Sequence, residues 1–295
     1  MSHAQEPPIQ EASIIRRIRR IPAKGDVLVS IGDLVGPETV VAKGSVTNPT
    51  ILEVRVHTDL NVEPHETERY MLKKVGDEVK KDEAIAVHRS FFSRLTKVSR
   101  SPIDGFIESF SGSSGRALIR GKPISVEVKA HIPGKIVEIV ADEGAVVESK
   151  GFLLEGVFGL GGETTGELAL AVDEPSEALT TEQISEQHKG KIIVGGAITT
   201  LEALRKAAKT AVNGIITGGI DEKDLAEFLG EEIGIGITGN ERIGLTIVLT
   251  EGFGTHPMNE KSFRLLKSHR GSLVSIDGST QIRSRMLRPE IVIPA

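Results

Sequence analysis

Three acidic side chains in the second half of the chain, Glu241, Glu251 and Asp277, are the residues best placed to do chemistry, with Arg242 and His256 close by in sequence. Paired carboxylates move protons or hold a hard cation such as Mg²⁺. Each of the three follows a short apolar run, in a stretch rich in glycine and threonine. The run endings are Gly195-Gly196, Thr217-Gly218-Gly219, Thr238-Gly239-Asn240-Glu241, Thr250-Glu251-Gly252-Phe253-Gly254 and Asp277-Gly278-Ser279-Thr280. Glycine lets a backbone approach a ligand closely, and threonine hydroxyls and carboxylates anchor it. Turns after strands also favour Gly, Thr and Asp for their own geometry. The expected ligand-binding set is Gly195, Gly196, Thr217, Gly218, Gly219, Thr238, Gly239, Glu241, Thr250, Glu251, Gly252, Gly254, Asp277 and Gly278. Arg283, Arg285 and Arg288 follow the last ending and could hold an anionic group or pair with surface acids.

Other chemistries have no residues to carry them. The chain has no cysteine, which removes disulfides, thiol nucleophiles, thiolate zinc sites and Cys-ligated iron–sulfur clusters. Its eight histidines show no His-x-x-x-His spacing, so no metal site is expected. No Gly-x-Ser-x-Gly elbow occurs, and no Gly-x-Gly-x-x-Gly follows the first strand of the second half. Gly159 to Gly166 lacks the lysine of a phosphate loop and precedes a strand-like run, so it reads as a hairpin. A net charge of −5 and 3% aromatic residues argue against nucleic acid. No apolar run reaches a membrane span, and the polar N-terminus lacks a signal-like stretch. A cytoplasmic protein is the expectation.

The elements that must position the acidic residues alternate in period. Lys191–Ala197, Val212–Gly219, Ile233–Gly239, Leu245–Thr250 and Leu273–Ile276 read as buried strands, and Glu290–Ile293 as a last short one. Between them lie amphipathic helices: one with a capping box at Thr199 and Glu202, one capped by Asp221 and stopped by Gly230, one starting at Asn259. Apolar strands alternating with helices predict an open, largely parallel sheet covered on both faces, with ligands at the strand carboxyl ends.

The first half has a different grammar. Ile31-Gly32-Asp33-Leu34-Val35-Gly36-Pro37-Glu38-Thr39-Val40-Val41-Ala42 aligns without a gap on Val75-Gly76-Asp77-Glu78-Val79-Lys80-Lys81-Asp82-Glu83-Ala84-Ile85-Ala86. Ser101-Pro102-Ile103-Asp104-Gly105-Phe106-Ile107 and His131-Ile132-Pro133-Gly134-Lys135-Ile136-Val137 repeat a Pro/Gly turn before an alternating strand, and Glu143-Gly144-Ala145-Val146-Val147 echoes the first element. These pairs resemble the barrel-sandwich hybrid (hammerhead) of biotinyl and lipoyl domains, as in the C subunit of Rnf-type complexes, over about residues 25–160. The resemblance implies a hammerhead β domain. Biotinyl and lipoyl domains carry Met-Lys-Met or Asp-Lys-Ala on a hairpin, and neither tripeptide occurs here; Lys74, Lys80 and Lys81 lie in the turn element instead. Covalent biotin or lipoate is therefore not expected. The lack of cysteine likewise excludes the Rnf subunit's iron–sulfur cluster.

The expected organisation is a basic arm at 1–24, a barrel-sandwich hybrid at 25–172, a linker with a short helix at 173–190, and an α/β domain at 191–295. Residues 1–24 hold five Lys/Arg against two Glu, an arm for an anionic partner or a first strand with solvated arginines. The expected function is a non-catalytic accessory protein that binds a protein partner through the β domain and a small anionic ligand at the strand ends. The alternative is an enzyme using Glu241, Glu251 and Asp277 in acid–base or metal-assisted chemistry.

Overall fold

The computed structural model describes residues 9–89, 96–230, 244–280 and 288–295. Thr238, Gly239 and Glu241, with Arg242, Arg283 and Arg285, lie outside them. Strands hold 47% of the described residues and helices 17%, so the structure is mostly β, with several sheets. It divides into two compact units. Unit 1 contains residues 1–20, 27–42 and 128–295, and unit 2 contains residues 21–26 and 43–127.

Unit 1 is built on one large mixed sheet. Its order is Phe158–Leu160, Thr246–Phe253, Gly214–Ile220, Ile192–Val194, Glu163–Leu170, Leu273–Asp277, Glu290–Pro294, Gly144–Glu155, Gly134–Val140 and Leu34–Val35, with Ile9–Arg20 also paired to Gly144–Glu155. Only the four neighbours from Thr246–Phe253 to Glu163–Leu170 are parallel to one another. The expected largely parallel sheet is therefore a parallel centre with antiparallel flanks. Strands from before residue 173 sit in the same sheet as those after 190, so the compact units divide the chain elsewhere than the change in composition does. The stretch 173–190 is not a free linker. Its Leu179 and Ile184 are fully buried in the core, and it forms two 3-10 turns, Thr181–Gln183 and Glu186–His188, in place of a helix.

The row curls. Phe158–Leu160 and Glu163–Leu170 stand four strand spacings apart in the sheet, about 19 Å if it were flat. Only Gly161-Gly162 joins them, a reach of about 10 Å. Both glycines have positive φ, +91° and +71°, which lets the chain turn so tightly. They are a corner between distant strands, not the tip of a hairpin.

Alternation along the parallel strands sorts their side chains onto two faces. Ile193, Ile215, Ile247 and Leu249 meet the helices Leu201–Lys209 and Glu222–Leu229. Ile192, Val194, Ile216 and Val248 meet the helix Glu260–Ser268 through Phe263 and Leu266. The helix caps follow the sequence: Asp221 accepts from Lys223 N, Asn259 from Lys261 N, and Gly230 ends its helix in the left-handed conformation. The first helix is capped one residue later than the sequence suggests, by Thr200.

Unit 2 has a four-stranded sheet, Ile51–Val54, Arg116–Gly121, Gly105–Ser111 and Glu78–Val79, and a hairpin, Ala84–Arg89 with Thr96–Arg100. It also has a one-turn helix, Val56–Leu60, and a 3-10 helix, Pro64–Tyr70. Its core gathers Val54, Val56, Leu60, Val79, Ile85 and Ile107.

Candidate functional site

The carboxyl ends of the parallel strands come together, and the chain's own backbone fills the space between them. Gly218 N donates to Gly196 O at 2.8 Å, Gly254 N to Ile220 O at 2.9 Å, and His256 N to Ala197 O at 3.1 Å. A Cβ would stand 2.3 Å from Glu177 O at Gly196, 2.1 Å from His256 O at Gly218 and 2.0 Å from Gly254 O at Gly219. Gly195 is nearly as tight, 3.2 Å from the Thr217 hydroxyl. Gly196, Gly218 and Gly219 admit neighbouring backbone, and Gly195 admits the side chains of Thr217 and Leu179, which accounts for all four without a ligand. The hydroxyls are occupied too: Thr217 Oγ1 donates to Gly196 O and Thr250 Oγ1 to Thr217 O, each at 3.4 Å. The Glu251 carboxylate accepts from Asn259 N at 2.9 Å, beside the cap of the last helix. Gly252 and Gly254 have positive φ, +128° and +96°, and turn the chain out of its strand.

Asp277 and Gly278 do not join this group. Leu273–Asp277 runs antiparallel to Glu163–Leu170, with Asp277 opposite Glu163, so its carboxyl end lies at the amino ends of the parallel strands. The cause is the preceding turn: Gly271 N bonds Leu168 O at 2.8 Å and Leu168 N bonds Ser272 O at 2.9 Å, so the strand enters from the carboxyl edge and runs back. Gly278 N donates to Gly162 O at 2.9 Å, and a Cβ there would meet Leu160 O at 2.1 Å. Glu251 and Asp277 thus sit at opposite ends of the sheet and cannot act as a pair.

Asp277 instead belongs to a charged row that the sequence did not reveal. Glu163, Asp277, Glu290 and Glu155 are directly opposite one another on four adjacent antiparallel strands, so they share a face, where like charges repel. Arginines answer them. Arg19 grips Glu163 with two hydrogen bonds of 2.5 and 2.6 Å, Arg17 reaches Glu290 at 2.6 Å, and Arg288 lies 3.6 Å from Glu155. Burial pushes the Glu163 carboxyl up, but the Arg19 hydrogen bonds and the charges of His131 and Arg19 outweigh it and hold it below its ordinary value. Burial raises Glu290; Arg17 offsets part of that rise, and Asp277 and Glu155 add to it. Burial also pushes the His131 imidazole down, with Glu163 only partly opposing. The network fastens the strand Ile9–Arg20 to the sheet. Arg16 and Arg20 on its outer face pair with Glu148 and Glu143 at 2.7 and 3.5 Å. All four arginines of the expected arm therefore hold carboxylates of the same chain.

The repeat in the sequence is a repeat in space, one copy per unit. In unit 1, Gly32 N bonds Ile136 O at 2.8 Å and Ile136 N bonds Asp33 O at 2.9 Å; in unit 2, Gly76 N bonds Ile107 O at 2.8 Å and Ile107 N bonds Asp77 O at 3.0 Å. Asp33 accepts from Ser30 N and Asp77 from Lys74 N, each at 2.8 Å. Leu28 N reaches Val41 O, and Leu72 N reaches Ile85 O, again each at 2.8 Å. Gly32 and Gly76 supply the left-handed residue, φ +100° and +92°, at a position where a side chain would strain the backbone. Val35, Val41 and Ala42, like Val79, Ile85 and Ala86, face inward and are buried. The outer side chains are apolar as well. Leu28, Ile31 and Leu34 are 54%, 67% and 84% exposed, and Leu72 and Val75 are 58% and 61% exposed. At the position of Leu34, unit 2 has Glu78, paired with Lys122 at 2.5 Å.

No family model, curated protein or solved structure matches the chain. Among the described residues, no helix is long and apolar enough to cross a membrane, and no group of three or more His, Asp or Glu side chains is placed to hold a metal.

Proposed function

We propose that this is a non-catalytic accessory protein that docks a protein partner through the duplicated turns of its β elements. One observation carries the reading: the same hydrogen-bonded frame, formed twice, holds large apolar side chains out in water at corresponding positions. A single exposed leucine needs no explanation, but recurrent exposure on a rigid frame is what an interaction surface requires. Covering a Leu or Ile side chain contributes about 1.5–3 kcal/mol, so three in one turn give a partner a substantial anchor. The resemblance of the repeat to barrel-sandwich hybrid modules supports a docking scaffold in preference to a catalyst. The acid–base alternative lacks a carboxylate pair among the described residues of the strand ends. A small anionic ligand at those ends would have to displace backbone already in place.

The test replaces Ile31 and Leu34, and separately Leu72 and Val75, with serine in the full chain. Both variants should keep the wild-type circular dichroism, because the replaced groups are exposed. Affinity capture from the native host should recover a protein in stoichiometric amount with wild type and lose it with at least one variant. The purified partner should then bind that variant at least tenfold more weakly. Equal capture and affinity with all three proteins would reject the reading.

A further inference from the structure

The row of carboxylates on the large sheet holds one more charge than its arginines answer among the described residues. Glu163, Asp277, Glu290 and Glu155 stand on neighbouring strands, and Arg19, Arg17 and Arg288 meet three of them. Asp277 is the fourth. Its carboxylate accepts from Ser279 N at 2.8 Å and has no ion pair among the described residues. Residues directly opposite on antiparallel strands have Cβ atoms about 4.5–5.5 Å apart. Asp277 is directly opposite Glu290, so it stands one strand spacing from the carboxylate that Arg17 holds.

The way Arg17 holds Glu290 leaves room for a proton. Its Nε and Nη2 both reach Oε2, at 2.7 and 2.6 Å, and Oε1 has no hydrogen bond among the described residues. Arg19, in contrast, bonds both oxygens of Glu163 and holds that charge in place. Arg17 and Glu290 are 27% and 30% exposed, so water screens the charges around them only in part. Three elements face Glu290: Ile9–Arg20 with Arg17, Leu273–Asp277 with Asp277, and Gly144–Glu155 with Glu155. Glu155 has its own partner in Arg288, and Glu163, Arg19 and His131 gather on the far side of Asp277. One arginine therefore opposes two carboxylates at Glu290, and burial also favours its neutral form. We propose that Glu290, Arg17 and Asp277 form an acid-sensitive switch on this face of the sheet. When Oε1 of Glu290 takes a proton from solvent, Arg17 turns to Asp277, the nearest carboxylate without an arginine. The strand Ile9–Arg20 then shifts its grip from Glu290–Pro294 to Leu273–Asp277. Because the folded chain binds this proton more readily than the unfolded chain, the step favours the folded form as pH falls. It works against the loss that His131 brings.

The experiment is an NMR titration of the full chain that follows the ¹³C carboxyl signal of Glu290 and the ¹⁵Nε signal of Arg17. The two signals should move together, with a midpoint above that of an ordinary glutamate. Glu290→Gln imitates the protonated side chain, so at neutral pH it should put the Arg17 signal at its acid position in wild type. Asp277→Asn removes both a repelling charge and the second partner of Arg17. It should lower the Glu290 midpoint by about one pH unit and stop Arg17 from reaching the acid position. Both variants keep the shape of the side chain, and circular dichroism checks that they fold. If one does not, the joint movement of the two wild-type signals still decides. A Glu290 midpoint at or below the ordinary value would overturn the proposal. So would an Arg17 signal that stays still while Glu290 titrates, or a Glu290 midpoint unmoved in a folded Asp277→Asn.

Discussion

Gly218 has no room for a side chain, and the atom in its way is a backbone oxygen, which cannot rotate aside. Gly218→Ala should therefore destabilise unit 1 by about 3 kcal/mol, in the range of overpacked sites. Gly32 differs: a Cβ there meets nothing within 4 Å, and only its φ of +100° opposes substitution. Gly32→Ala should cost about 1 kcal/mol, the strain of a left-handed residue. Urea denaturation of both variants checks the ranking, and a reversed order would contradict the packing described here. The sequence marked both glycines as special without saying why, since a glycine that admits a ligand and one that admits the chain's own carbonyl look alike in sequence. His131 carries a second prediction at this scale. Its folded pKa lies below the ordinary value of about 6.5 because burial disfavours the charged form. As pH falls below that value the unfolded chain takes a proton that the folded chain refuses, so stability drops. His131→Asn, which tolerates the left-handed backbone at this position (φ +65°), should flatten that fall. His188, also depressed by burial, should retain part of it. Midpoints measured between pH 5 and 7 decide the matter, and an unchanged slope in the variant would contradict the assignment.

At the scale of elements, the strand Ile9–Arg20 reads in the sequence as a basic arm or a first strand, and the pairing of its residues settles which. Arg17 and Arg19 share the inward face with Ile15, and each finds a carboxylate of the sheet. Arg19 is only 12% exposed and bonds both oxygens of Glu163; Arg16 is 64% exposed with a single contact to Glu148. Arg19→Met should cost about 1–2 kcal/mol, and Arg16→Met no more than about 0.5 kcal/mol. Thermal melts of the two variants compare them, and equal losses would mean that the row of carboxylates does not depend on Arg19. Helix caps at Asp221 and Asn259 were legible in sequence because capping is local chemistry. The direction of Leu273–Asp277 was not, because an apolar run reads the same whichever way it enters a sheet. Register was equally hidden: Glu163, Asp277, Glu290 and Glu155 are far apart in the chain, and only strand pairing makes them a row.

For the whole molecule, the internal repeat was the most informative feature of the sequence, and both of its copies fold on the same hydrogen bonds. The domain division was less legible, since Asp173-Glu174-Pro175-Ser176-Glu177 has the composition of a linker while Leu179 and Ile184 just beyond it anchor the segment in the core. Limited proteolysis should therefore make no first cut between residues 173 and 190. A rapid cut there leaving two folded fragments would contradict the division into units. That the exposed apolar turns are where a partner docks can be checked by placing a photo-reactive benzoylphenylalanine at Leu34, at Leu72 and, as a control, at Leu273, an exposed leucine outside both turns (46% exposed), then irradiating in the native host. A discrete cross-linked partner is expected from position 34 or 72 and none from 273. Cross-links that are the same from all three positions, or absent from both turns, would contradict it.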